Sequence, residues 1–216
     1  MAPPQGVRTG TGKGSSVSLL GLSVFCTVYL AGMVVLRRAR KGLFAYLWSA
    51  FGLAAILIFA GQIGSWNTPL GSLQAEILAF LSRLVGGGLQ TVPGGGLVVP
   101  DPTGWSILQV GIECSALIEM SIFIGLMLFY PRLPAGQRLG RIALGVLATI
   151  AVNLVRLVVI AAMVAALGKP IVPWAHAIVG RLVFFVGILY LYWRMLTLPT
   201  LTVVRRDLEV SQRNAL

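Results

Sequence analysis

The sequence predicts an all-α fold: a polytopic helical membrane bundle of about five transmembrane helices, plus a possible interfacial helix. Three observations carry that expectation. Of the 216 residues, 57% are hydrophobic and only 11% are charged, about half the charged fraction of a soluble domain. Mean hydropathy is +0.89. The apolar residues also come in long unbroken runs instead of periodic stripes, and a hydrocarbon core of about 30 Å needs about 20 residues of helix.

Residues 1–16, rich in Gly, Pro, Ser and Thr, read as a disordered tail. One transmembrane domain, 17–198, follows. Its first span covers about 17–36, too long for a signal-peptide core and without a small-x-small cleavage site before the RRARK block, so it reads as a retained helix. The second covers about 43–63. Residues 64–103 form a long extracytoplasmic loop in which Leu73, Ile77, Leu78, Leu81 and Leu84 recur near helical spacing, as in a short interfacial helix. Gly86–Gly88 and Pro93–Gly96 break it, and Asp101-Pro102-Thr103 reads as a turn or helix start. The third span, about 104–130, ends at Tyr130-Pro131. The fourth covers about 142–167, and the fifth about 175–196, entered through Pro173-Trp174. Residues 199–216 read as a cytoplasmic tail.

The net charge of +11 does not imply nucleic acid, because the basic residues sit between apolar runs instead of forming a patch interleaved with exposed aromatics. They gather at 37–42, 131–141 and 194–216, which alternation of spans places on one side. The positive-inside rule makes that side cytoplasmic, with the N-terminus outside. The lipid bilayer is thus a partner, and attraction to anionic headgroups follows.

Ionisable groups within spans are costly and mark function by default. Span three carries Glu113, Cys114, Ser115 and Glu119, span four Asn153 and Arg156, and span five His176 and Arg181. Counted from the outer ends of their spans, Cys114 and Arg156 both lie roughly 15 Å deep, at about 1.5 Å per residue. His176 enters at the same face, so three groups from three helices converge in the outer leaflet. An isolated thiol in hydrocarbon is inert, but a neighbouring imidazole or guanidinium favours the thiolate nucleophile. His176 suits general base and then acid. Arg156 suits charge stabilisation, of thiolate or oxyanion. Asn153, on the same helix face as Arg156, can orient it or donate a hydrogen bond.

Blander readings apply to the rest. Cys26, among Phe25, Val28 and Tyr29, is a small hydrophobe. Arg156 can pair with Glu113 or Glu119 as structural glue, and Arg181 can snorkel or pair with Glu113. Trp66, Trp105 and Trp174 read as interfacial anchors, and Gly125, Gly145, Gly180 and Gly187 as close-packing positions between helices. One His and scattered carboxylates make no metal site, and the glycines at 86–96 lack the Lys-Ser/Thr of a phosphate loop. No cofactor is expected.

The segments Gly111-Ile112-Glu113-Cys114-Ser115-Ala116-Leu117, Asn153-Leu154-Val155-Arg156 and His176-Ala177-Ile178-Val179-Gly180 together resemble the exosortase/archaeosortase family of prokaryotic membrane proteins, over roughly residues 104–196. The resemblance implies a cysteine peptidase or transpeptidase. Its partners would be membrane-anchored proteins bearing a C-terminal sorting signal, cut near the outer face and passed to a cell-envelope lipid or polysaccharide acceptor. It further implies Cys114 as nucleophile, Arg156 as charge stabiliser and His176 as proton shuttle, with Asn153, Glu113 and Ser115 in support. Two departures stand out: the family often has Cys-Ser-Gly where this chain has Ala116, and many members have more spans. The competing readings are a small membrane transporter, using Glu113, Glu119, Arg156 and Arg181 as a polar pathway, and a non-enzymatic assembly subunit.

Overall fold

The computed structural model describes residues 13–39, 42–110, 114–130, 135–198, 201 and 205. The chain is a helical membrane bundle. In order it runs α1 (Lys13–Arg38), α2 (Gly42–Ile63), α3 (Asn67–Leu84), β1 (Gln90–Val92), β2 (Gly96–Asp101), β3 (Gly104–Gln109), α4 (Leu117–Leu128) and α5 (Ala135–Leu167). A last helical rod follows, in which α6 (Val172–Trp174) and α7 (Gly180–Tyr192) are joined by a π-helical turn, Ala175–Val179. Among the described residues, four segments are long and apolar enough to cross a membrane: Gly21–Arg38, Gly42–Ile63, Gly136–Leu167 and Lys169–Thr197. The tail expected at 1–16 lies largely outside the described residues, and α1 already begins at Lys13.

The third expected span divides differently. Residues 104–109 are strand, and α4 has 12 residues, about 18 Å of helix. The unbroken apolar run concealed this, because a buried strand and a helix segment cannot be told apart by hydrophobicity alone. Gly-Trp-Ser-Ile-Leu-Gln extends instead because the Asp101–Gly104 turn folds it back on β2 in register, Val99 opposite Ser106 and Leu97 opposite Leu108. Asp101 holds that turn: its carboxylate accepts from the Thr103 N–H, the Thr103 hydroxyl and the Ser106 hydroxyl. Those hydrogen bonds, Ser106's first, hold the Asp101 pKa below the usual carboxylate value. The sheet has the order β1-β2-β3, antiparallel throughout.

Helix α3 forms in the connection where a short helix was expected. Gly71, Gln74, Ala75, Leu78 and Ala79, at i, i+3, i+4, i+7 and i+8, make its buried stripe, while Leu73, Leu81 and Leu84 point away from the protein. Where the surroundings are lipid, large apolar side chains gain nothing by turning inward, so small and polar residues take the protein-facing side. The close-packing glycines behave alike. A Cβ on Gly125 would meet the Ala50 carbonyl at 2.2 Å, and one on Gly145 the Phe123 ring at 1.9 Å, so α4 wedges between α2 and α5.

The bundle has two unlike ends. At one, the first turns of α2 adjoin the C-terminal end of α4, through a hydrogen bond from the Tyr46 hydroxyl to the Leu126 carbonyl (3.1 Å). There Arg138 at the start of α5 donates to the Leu128 carbonyl (3.0 Å). At the other end lie the sheet, α3 and the start of α4. The hairpin is tied to the α5–α6 connection by Lys169, whose ammonium lies 5.7 Å from the Trp105 ring centre. Among the described residues, the basic groups at 37–38, 138–141 and 194 therefore lie toward one end, and the sheet shares the other with Cys114 and His176. Trp66, Trp105 and Trp174 are all exposed at the sheet-bearing end.

Candidate active site

Cys114 does not lie ten helical residues into a span. It sits on the turn between β3 and α4, three residues ahead of Leu117. Ala116 closes that turn with φ 57°, ψ 18°, the left-handed conformation, at a strain of roughly 1–2 kcal/mol for any residue with a Cβ. A glycine there would relieve it, which gives a physical sense to the Cys-Ser-Gly pattern from which this chain departs.

The thiol is 2% exposed and faces His176, with Sγ 3.5 Å from Nε2 and 3.8 Å from Nδ1. His176 rides on the π-helical turn Ala175–Val179, a local widening that often marks functional positions. Ala175 is fully buried, and the imidazole is half-buried. Cys114 shares its apolar cluster with Val110 from the end of β3, Leu157, Ile160 and Ala161 from α5, and Ala175.

The turn is clamped by two buried amides. The Asn153 amide donates to the Cys114 carbonyl and, at 2.6 Å, to Gln74 Oε1. Gln74 Nε2 in turn donates to the Ser115 carbonyl at 3.0 Å. Asn153 is 0% exposed and Gln74 1%, so each bond is shielded from water and exerts its full directional effect. Ser115 is itself buried. Gln74 does not stand out in the sequence because it falls in the connection between spans, where a polar side chain is ordinary. The available signal was its phase: it falls on the small-residue stripe of α3, opposite the leucines.

Arg156, three residues beyond Asn153 on α5, is 3% exposed and packs its guanidinium 5.5 Å from the Phe184 ring centre. It lines a cavity of about 410 Å³ with Glu119, Arg181, Phe184 and Phe185. Glu113, expected in a supporting role, lies outside the described residues. Both cysteines are free thiols.

A multi-pass helical membrane protein with a cysteine on the turn that opens one helix, and a buried arginine and a histidine on the helical segments that follow, defines a class of candidate intramembrane cysteine enzymes. The transmembrane exosortase family model matches residues 9–193, and the chain belongs to that family. That membership supports a membrane transpeptidase role in general terms, acting on membrane-protein substrates that carry sorting signals. No curated protein matches the chain, and no solved structure does.

Proposed function

We propose that this chain is an intramembrane cysteine transpeptidase that cleaves a C-terminal sorting signal near the outer face of a prokaryotic plasma membrane. The 3.5 Å approach of Cys114 Sγ to His176 Nε2, at the bundle end poor in basic residues, carries the reading. His176 takes the thiol proton, and the thiolate adds to the scissile carbonyl of a substrate whose transmembrane helix docks laterally. Arg156 stabilises the oxyanion or the thiolate. The imidazolium returns its proton to the departing amine as the C–N bond breaks, leaving an acyl thioester on Cys114. An amine of a cell-envelope acceptor, or water, then attacks the thioester, giving a proton to His176, and the thiolate leaves. Gathering of the basic segments at the opposite end supports an outside N-terminus and a cytoplasmic C-terminus.

The test is processing in membranes. Cys114→Ala and Arg156→Ala each abolish C-terminal trimming of membrane proteins while the variants still insert, and Cys26→Ala trims normally. Wild-type trimming by Cys114→Ala ends the proposal. The cavity shared by Glu119, Arg156 and Arg181 favours a second reading, a polar pathway for transport. In that case Glu119→Gln impairs function and Cys114→Ala does not.

A further inference from the structure

We propose that the outer edge of β3 is a docking rail on which an extended segment of the substrate, lying just ahead of its transmembrane helix, adds as a fourth strand. The proposal rests on the reading of Cys114 as a peptidase nucleophile and says how the scissile peptide reaches it.

Among the described residues, β3 pairs only with β2, at one side of the sheet. The direction of its backbone groups follows from the ladder. The Val110 N–H donates to the Gly95 carbonyl at 3.0 Å, and hydrogen-bonded pairs alternate along an antiparallel ladder. Leu108 and Ser106 therefore face β2. Gln109, Ile107 and Trp105 aim their N–H and C=O groups away from it. Pro100 opposite Trp105 agrees, since proline has no N–H to give at that position.

Natural proteins usually blunt such an edge with charge, proline or a bulge. Gly-Trp-Ser-Ile-Leu-Gln has none of these, and Trp105 and Ile107 are 60% and 51% exposed. The opposite edge strand, β1, packs on α3.

The open edge also leads to the thiol. Val110 ends the strand inside the buried cluster that holds Cys114, and Gly71 of α3 is pressed so closely on the Val110 carbonyl that a Cβ would come within 2.5 Å. Gln109 precedes Cys114 by five residues, a reach of at most about 18 Å. The occupant must be extended polypeptide, because a helix has already spent its backbone hydrogen bonds. Main-chain pairing supplies affinity, while Trp105 and Ile107 favour apolar or aromatic residues opposite them.

The experiment uses the full chain in lipid nanodiscs. Substrates are defined as membrane proteins that lose a C-terminal helix in wild-type membranes and keep it in Cys114→Ala membranes. A synthetic peptide spanning one such junction is the probe, N-methylated at one backbone position at a time upstream of the cut. Methylation at alternate positions raises KM about tenfold, the loss of one or two hydrogen bonds, and the intervening positions tolerate it. Ile107→Pro removes an outward N–H without touching the β2 pairing and raises KM by more than it lowers kcat. Methylation effects without a two-residue alternation, or Ile107→Pro at wild-type KM, overturn the docking rail and leave the peptidase standing. Should Ile107→Pro fail to insert, the methylation scan on the wild-type chain decides. Absence of any Cys114-dependent cut overturns the peptidase reading and the rail with it.

Discussion

Cys26 lies midway along α1, half-buried, in ordinary helix, with no polar partner among the described residues. Cys114 lies on a strained turn between a strand and a short helix, 3.5 Å from an imidazole nitrogen, its backbone held by Asn153 and its neighbour's by Gln74. The two side chains are chemically identical and both sit in apolar surroundings. What separates them is the architecture around each: α1 is regular from end to end, whereas the Cys114 region departs from helix on both partners, as a turn and as a π-helical turn. Regular helix stores a thiol; interrupted helix presents one.

The sharpest way to break this contrast is His176→Ala. Cleavage falls on the order of 10² to 10⁴-fold, the usual range for a lost acid–base group. Alkylation of Cys114 by a lipid-permeable maleimide drops to the Cys26 rate or below, because the thiol loses the base that ionises it. Unchanged alkylation of Cys114 would mean that its contact with His176 is packing only.

Gln74→Leu comes next. It removes the Gln74 donor from the buried Ser115 carbonyl and one of the two acceptors of the Asn153 amide, at about 1–3 kcal/mol. Thermal melting in detergent falls accordingly, and alkylation of Cys114 slows several-fold while that of Cys26 is unmoved. Equal changes at both cysteines would reduce the clamp to general stability.

How much of this the sequence carried depends on the region. The membrane class, four of the five apolar segments, a helix around Leu73–Leu84 and the family resemblance were all legible, because long apolar runs have one physical reading. Cys114, Asn153, Arg156 and His176 stood out as polar residues in apolar surroundings, and the structure brings Cys114 into contact with His176 and with Asn153. Three things were not legible. The sheet was absorbed into a neighbouring apolar run, since Val, Ile and Leu serve strand and helix alike. The depth of Cys114 was then counted along a helix that is not there. Asn153 was expected to orient Arg156 or to donate a hydrogen bond; its amide donates to the cysteine carbonyl, and that recipient is fixed by where the strand delivers the turn.

The smallest effect concerns the platform beneath Cys114. Hydrogen bonds from Ser106 and Thr103 depress the Asp101 pKa, so the ionised carboxylate favours the folded hairpin. That contribution is complete above the ordinary carboxylate pKa of about 4 and disappears as pH falls through the lower, folded-state value. Asp101→Asn should therefore flatten the loss of hairpin amide protection between neutral and strongly acidic pH. A variant as acid-sensitive as the wild type would assign that sensitivity to another group.

Helix α4 is about 18 Å long, against a hydrocarbon layer of about 30 Å. Walled by α2 and α5 and shorter than either, it leaves the rest of that depth to the sheet and to the Cys114 turn at its head. Water following those polar backbone groups inward would then meet a scissile bond while the substrate helix stays in lipid.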